Sequence, residues 1–140
     1  MLSDYLNSKL VHLLLYIISC SKRGLLAFWK VFSNLASPYN CKKTGVVFDD
    51  LISALDIVNC QSVQVQSMGQ LQTVNVDKTD GCQIYLSSQS LYADIITAKS
   101  SELNVLVPKA NGDYDEFPVP EQFKTKFTGK GLQTTQMDSI

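Results

Sequence analysis

The sequence predicts an all-β chain wound as a parallel β-helix. Three observations carry that reading. The phrase "NCKKTGVVFDD" at Asn40 is followed nineteen residues later by "NCQSVQVQSMG" at Asn59. Apolar residues continue on the same step: Val46, Val65, Ile84 and Leu103 on one track, Leu55, Val74 and Ala93 on another. Within each unit apolar and polar residues alternate, as in Val63-Gln64-Val65-Gln66 and Val74-Asn75-Val76-Asp77, so successive side chains would point to opposite faces of a strand. A strand-rich unit repeating near twenty residues is the mark of a solenoid, in which each coil covers the next.

Residues 1–38 stand apart and are expected to be helical or irregular. Stepping back nineteen from Leu55 and Ile57 lands on Ala36 and Pro38, and a proline interrupts a strand track. The apolar run Leu10–Cys20 is shorter than the ~20 residues of a membrane-spanning helix. It has the length of a signal-peptide core but neither a basic leader nor a clean cleavage site. His12 lies within it and is expected to pack. Three readings compete: a helix pair broken at Ser21–Gly24, a membrane-associated or targeting segment over Leu10–Phe32, and an alternative start that replaces the domain's own beginning. The abrupt change of composition favours the last.

Residues 39–107 are the coils, roughly three to four of them, with short strands near 44–48, 54–58, 63–67, 71–76, 82–86, 93–97 and 101–107. Gly69, Asp80-Gly81 and Ser87-Ser88 mark corners, because these residues tolerate the backbone angles corners demand. Thr44/Val63/Cys82/Ser101, Val46/Val65/Ile84/Leu103, Leu55/Val74/Ala93 and Ile57/Val76/Ile95 are the expected inward ladders. The recurring Asn40 and Asn59 belong at a corner. The edge of the first coil would be open unless residues 1–38 cover it.

Residues 108–140 leave the repeat. Pro108 closes the last strand, Asn111-Gly112-Asp113 is a turn, and Pro118 and Pro120 make an extended connector. Phe123–Phe127 and Leu132–Thr135 flank Gly129-Lys130-Gly131 as a hairpin. A lone hairpin is marginal in water, so it needs a partner.

Net charge is -1. Residues 1–38 carry four basic residues against Asp4, out of chain totals of 12 basic and 13 acidic, so the remainder is acidic. No basic block interleaved with aromatics marks a nucleic-acid surface there. The four cysteines, Cys20, Cys41, Cys60 and Cys82, lack CxxC spacing, which leaves a zinc site without local support. Buried thiols in a reducing compartment are the expectation. Asp49-Asp50 is no carboxylate pair, since adjacent residues at a strand end point apart. No cofactor and no catalytic residue are expected.

The phrases "NCKKTGVVFDD", "KTDGCQIYLS", "AKSSELNVLVP" and above all "DEFPVPEQFKT" resemble the C-terminal (CARP) domain of cyclase-associated proteins, from about Asn40 to the C-terminus. The resemblance implies a right-handed parallel β-helix that dimerises by exchanging its C-terminal hairpin. It also implies binding of ADP-loaded actin monomers and promotion of their nucleotide exchange, in the cytoplasm and alongside cofilin and profilin. Three departures are expected: residues before Tyr39 unlike the family, the first coils missing, and a tail "QMDSI" that fits loosely. The family's cyclase-binding region, helical folded domain, proline-rich stretch and WH2 motif are expected to have no counterpart in these 140 residues.

For actin binding the residues are Gln64, Gln66, Gln83, Tyr85, Glu102 and Asn104, an outward polar set on one sheet, with Lys78 and Lys99. Lys42, Lys43, Lys78 and Lys99 cluster at coil corners, where they would steer an acidic partner. For dimerisation they are Phe117, Pro118, Val119, Pro120, Phe123, Phe127 and Leu132. A dimerisation scaffold without exchange activity and a membrane-tethered module are the alternatives.

Overall fold

The computed structural model describes residues 15–19, 26–29 and 33–137, and all its regular elements there are strands. In chain order they are β1 (Leu15–Ser19), β2 (Leu26–Trp29), β3 (Ser33–Tyr39), β4 (Gly45–Phe48), β5 (Leu51–Val58), β6 (Gln61–Ser67), β7 (Thr73–Asp77), β8 (Asp80–Tyr85), β9 (Asp94–Ala98), β10 (Ser101–Pro108), β11 (Tyr114–Pro118), β12 (Phe123–Phe127) and β13 (Leu132–Gln136). Odd strands β1 to β9 form one parallel sheet, here sheet A. Even strands β2 to β10 form a second, sheet B, to which β11 adds antiparallel beyond β10. Each odd–even pair is one coil. Among the described strands, β12 and β13 pair only with each other.

Alternation decides what is inside. Along β6, Val63 and Val65 are buried while Gln61, Ser62 and Gln64 are exposed. Leu55, Ile57, Val74 and Val76 from sheet A meet Val46, Val63, Val65 and Ile84 from sheet B in one core. Full burial of such a side chain contributes ~1.5–3 kcal/mol, so the stacked ladders dominate stability.

Two expectations need correction. The segment before Tyr39 was expected to be helical or irregular and outside the repeat. Its described residues are strands: β2 pairs with β4, and β3 with β5. They cover the edge that would otherwise lie open. Pro38 does not break the track. It lies in β3 and is buried. Proline withholds one N–H from the ladder, but its ring is apolar and takes an inward position. His12 and Cys20 lie outside the described residues.

The nineteen-residue step also fails at the last coil. Val65 pairs with Ile84 as expected, but Ile84 pairs with Val105 and Val74 with Ile95, each twenty-one residues on. Leu103 therefore stacks on Cys82 and Ser101 on Asp80, not on Ile84 and Cys82. Ala93 precedes β9. Two successive turns between Ser87 and Ala93 absorb the extra pair, closed by Ser90 N–H to Ser87 O at 3.1 Å and Ala93 N–H to Ser90 O at 3.2 Å. An insertion of two leaves the inward–outward parity of a strand unchanged, so the alternation of the sequence could not reveal it.

The recurring Asn-Cys pair has a structural cause. Asn40, Asn59, Lys78 and Lys99 form a column at one corner, all with left-handed φ between 48° and 54°. Asn accepts that conformation more readily than most residues. The next residue in each coil, Cys41, Cys60, Thr79 or Ser100, reaches back with its Sγ or Oγ to the carbonyl two residues earlier. A second left-handed column, Lys43, Ser62, Gly81 and Glu102, completes the corner.

At the opposite corner Asp50 Oδ1 accepts Gln70 N–H at 2.7 Å, and a Cβ on Gly69 would overlap that same oxygen. Gly69→Ala is expected to displace the carboxylate and lose this bond, at a cost of about 1–2 kcal/mol. In an Asp50→Ala background the further cost should be small, a coupling that a double-mutant cycle in urea reads directly.

Burial sets the chemistry of Cys82. Desolvation first, and the neighbouring Cys60 second, push its thiol from 9.0 up to about 12. The unfolded chain ionises near 9 while the folded chain does not, so this contribution is complete below pH 9 and is lost as pH rises towards 12. Stability should fall across that window by up to about 1.4 kcal/mol per pH unit from this group alone. Urea titrations of Cys82→Val at the same pH values should lack that part of the slope.

Candidate functional site: an amide face and an uncovered hairpin

The outer face of sheet B carries a ladder of amides. Gln64 pairs in register with Gln83, and Gln83 with Asn104. Gln64 Nε2 donates to Gln83 Oε1 at 2.9 Å, and Tyr85 OH donates to the same oxygen at 3.2 Å. Gln83 Oε1 is thus held by one donor from the neighbouring coil and one from its own strand. A groove of about 480 Å³ follows this ladder, lined by Ser62, Val63, Gln64, Gly81, Gln83, Glu102 and Asn104.

The sequence reading missed two features here. Strand β11 was unforeseen, because "YDEFP" lacks alternation and ends in proline. It brings Tyr114 back over the face, where its ring meets Tyr85 edge-on at 5.2 Å and its hydroxyl accepts from Gln66 Nε2 at 3.5 Å. Ser62 borders the groove from the second left-handed column.

Gln64, Gln66, Gln83, Tyr85 and Asn104 therefore share one surface. Glu102 stands at its rim, with its backbone N–H bonded to the Glu121 carboxylate. Lys78 and Lys99 do not lie on this face. They stack on each other in the Asn40/Asn59 column at the end of sheet A. The outer face of sheet A differs in charge: Asp56, Asp77 and Asp94 lie along β5, β7 and β9, with Asp56 held by Asn75 at 2.7 Å.

The two sheets end differently. Sheet B continues past β10 to β11, and Val119 N–H bonds to Leu103 O at 2.9 Å. Sheet A stops at β9. Phe117 pairs with Val105 and so shares its inward side, yet it is 55% exposed, with none of the described strands of sheet A beyond β9 to face it. Near the open β9 edge Leu91, Tyr92 and Ile96 are exposed too.

Every residue of β12 and β13 is exposed. The pairings Phe123–Gln136 and Phe127–Leu132 put Phe123, Phe127 and Leu132 on one side, with Lys124 and Lys126 on the other. Of the residues expected at a dimer contact, Phe117, Pro118, Pro120, Phe123, Phe127 and Leu132 are exposed. Val119 is half-buried against its own core. The connector therefore caps its own last coil before releasing the hairpin. Among the described residues no group of three or more metal-ligating side chains is gathered, and no helix is long and apolar enough to cross a membrane.

Comparison with known proteins agrees with this architecture. The family model described as adenylate cyclase associated (CAP) C terminal matches residues 9–139. The match extends well before Tyr39, so the family likeness does not begin where the sequence reading placed it. Adenylyl cyclase-associated protein 1 of Bos taurus and of Homo sapiens are each 49% identical over 120 residues, 86% of this chain and 25% of theirs. Adenylyl cyclase-associated protein 2 of Homo sapiens is 46% identical over 119 residues. The chain thus spans about a quarter of the length of these relatives. The crystal structure of cyclase-associated protein from Cryptosporidium parvum superposes with a TM-score of 0.77 at 28% identity, covering 87% of this chain and 82% of that one.

Proposed function

The chain belongs to the C-terminal-domain family of adenylate cyclase-associated proteins, and from that premise we propose that it is a dimeric module that binds ADP-actin monomers and speeds their nucleotide exchange. The observation that carries the proposal is the family match over nearly the whole β-helix. The amide face of sheet B supports it physically. It is flat, polar and ordered, with two aromatic side chains, and such a surface suits a protein partner. The acidic outer face of sheet A suits an acidic partner poorly. Lys42, Lys43, Lys78 and Lys99 steer association from the corners.

Dimerisation completes the reading. The hairpin exposes an apolar side, and the last coil leaves the β9 edge open beside Leu91, Tyr92 and Ile96. Addition of a second copy's hairpin to that edge satisfies both. The module works by binding and carries out no covalent step, and we place its action in the cytoplasm on the actin cytoskeleton, in the pathway of cofilin and profilin. A scaffold that dimerises without accelerating exchange is the second reading, favoured by the uncovered hairpin alone. The membrane-tethered reading rests on Leu10–Phe32, mostly outside the described residues, and pelleting with lipid vesicles would revive it.

The test is release of a fluorescent nucleotide from ADP-actin monomers on titration with the full chain. Saturable acceleration supports the exchange module. A folded dimer without effect on release supports the scaffold.

A further inference from the structure

We propose that Asn111 is a site of spontaneous isoaspartate formation, a built-in ageing site beside the amide face. The turn between β10 and β11 spans Lys109–Asp113. Lys109 N–H donates to Asp113 O at 2.7 Å and Gly112 N–H to Lys109 O at 3.2 Å. Gly112 holds a left-handed φ of 88°, and nothing lies within 4 Å of where its Cβ would be. This is a three-residue hairpin loop with glycine at the left-handed position. Asn111 and Gly112 are both exposed.

Glycine leaves its own backbone nitrogen unshielded, with Asn111 Cγ one residue away. Asn111 Oδ1 accepts Asp113 N–H at 3.1 Å. That bond draws electron density from Cγ, as an oxyanion donor does. Gly112 N, giving its proton to water, attacks Asn111 Cγ; water returns a proton to Nδ2, the Cγ–Nδ2 bond breaks, and the nitrogen leaves as ammonia. The product is a five-membered succinimide. Water then opens the ring. Attack at Cγ gives aspartate; attack at the backbone carbonyl leaves the chain running through the former side chain, as isoaspartate. No electrons are exchanged, and water is the only co-reactant.

The structure supplies consequences as well as a site. Asn111 Nδ2 donates to Asp113 Oδ2 at 3.2 Å, while Lys109 Nζ pairs with Asp115 at 2.6 Å. Both products lose that amide donor: aspartate sets a carboxylate against Asp113, and isoaspartate frees its carboxylate at the former backbone carbonyl. Isoaspartate also lengthens the backbone of the turn that aims Tyr114 at Tyr85 and Gln66. The turn must open before Gly112 N can reach Cγ, so folding slows the reaction without preventing it.

The full chain would be incubated at mildly alkaline pH beside a free peptide of residues 107–115. Isoaspartate would be read by peptide mass mapping and by methyl transfer from an isoaspartyl methyltransferase. Methyl incorporation at residue 111 is expected, roughly 10-fold slower than in the peptide, as for a turn that reacts only when locally opened. Asn111→Gln should lose the label. An intact Asn111 in the folded chain after the peptide has fully converted would overturn the proposal, as would label confined to other residues. Loss of the Tyr85–Tyr114 contact in the aged chain, seen by aromatic NMR shifts, is the expected structural readout.

Discussion

Phe123→Asp is expected to yield a folded chain that sediments as a monomer. In the single chain Phe123 is 57% exposed and belongs to a hairpin that, among the described strands, pairs only with itself. Its replacement removes nothing from the core between sheets A and B, so the thermal transition of the β-helix should persist. In the proposed dimer the same ring is covered by a second copy. Burial of a phenylalanine contributes ~1.5–3 kcal/mol, and a carboxylate in its place must be desolvated without a partner, which costs more. The two effects together should weaken association by at least ~100-fold, since each 1.4 kcal/mol is a factor of ten. Sedimentation equilibrium with circular dichroism on the same samples is the measurement. A dimer of unchanged mass would refute hairpin exchange through this face. Phe127 and Leu132, 72% and 77% exposed on the same side, should behave alike.

The parts of this fold that were legible in the sequence were those governed by parity and by local chemistry. Alternation over Val63–Ser67 and Val74–Asp77 gave the strands, and Gly129 with its flanking apolar residues gave the hairpin. The outward amides Gln64, Gln83 and Asn104 followed from the same alternation, and the structure brings them together. What alternation cannot encode is register between coils. The two residues absorbed between Ser87 and Ala93 keep every side chain on its expected face while moving each ladder by one rung. Pro38 misled for a related reason. Its missing N–H is a local defect, whereas its burial in β3 is decided by the strands on either side. Lys78 and Lys99 were read at coil corners, and the left-handed column holds them there, at the end of sheet A and off the amide face. Strand β11 was invisible because Tyr114–Pro118 has no apolar–polar alternation and ends in proline, although the Asn111-Gly112-Asp113 turn that leads into it was legible.

Leu55→Ala is expected to be the most costly single truncation in the coils. Leu55 is fully buried and stands in the middle of its sheet, paired with Ala36 on one side and Val74 on the other. A solenoid is stabilised by contacts between neighbouring coils, so a cavity here weakens two interfaces at once. Removing a buried leucine side chain costs ~2–5 kcal/mol, a large share of the 5–15 kcal/mol by which domains of this size are stable. Ile96→Ala is the matched comparison. Ile96 lies on the outer face of β9 and is 56% exposed, so its truncation should cost about 0.5 kcal/mol or less. Ile95, one residue earlier, stacks on Val74 and packs against the core. Ile95→Ala should fall between the two, whereas a nineteen-residue register would place Ala93 on Val74 instead. Urea unfolding measures all three, with the midpoint moving and the slope constant if only the folded state is affected. Equal costs for Ile95 and Ile96 would mean that the last coil does not stack in the twenty-one-residue register, and that β9 is a loose edge and not the floor of the core.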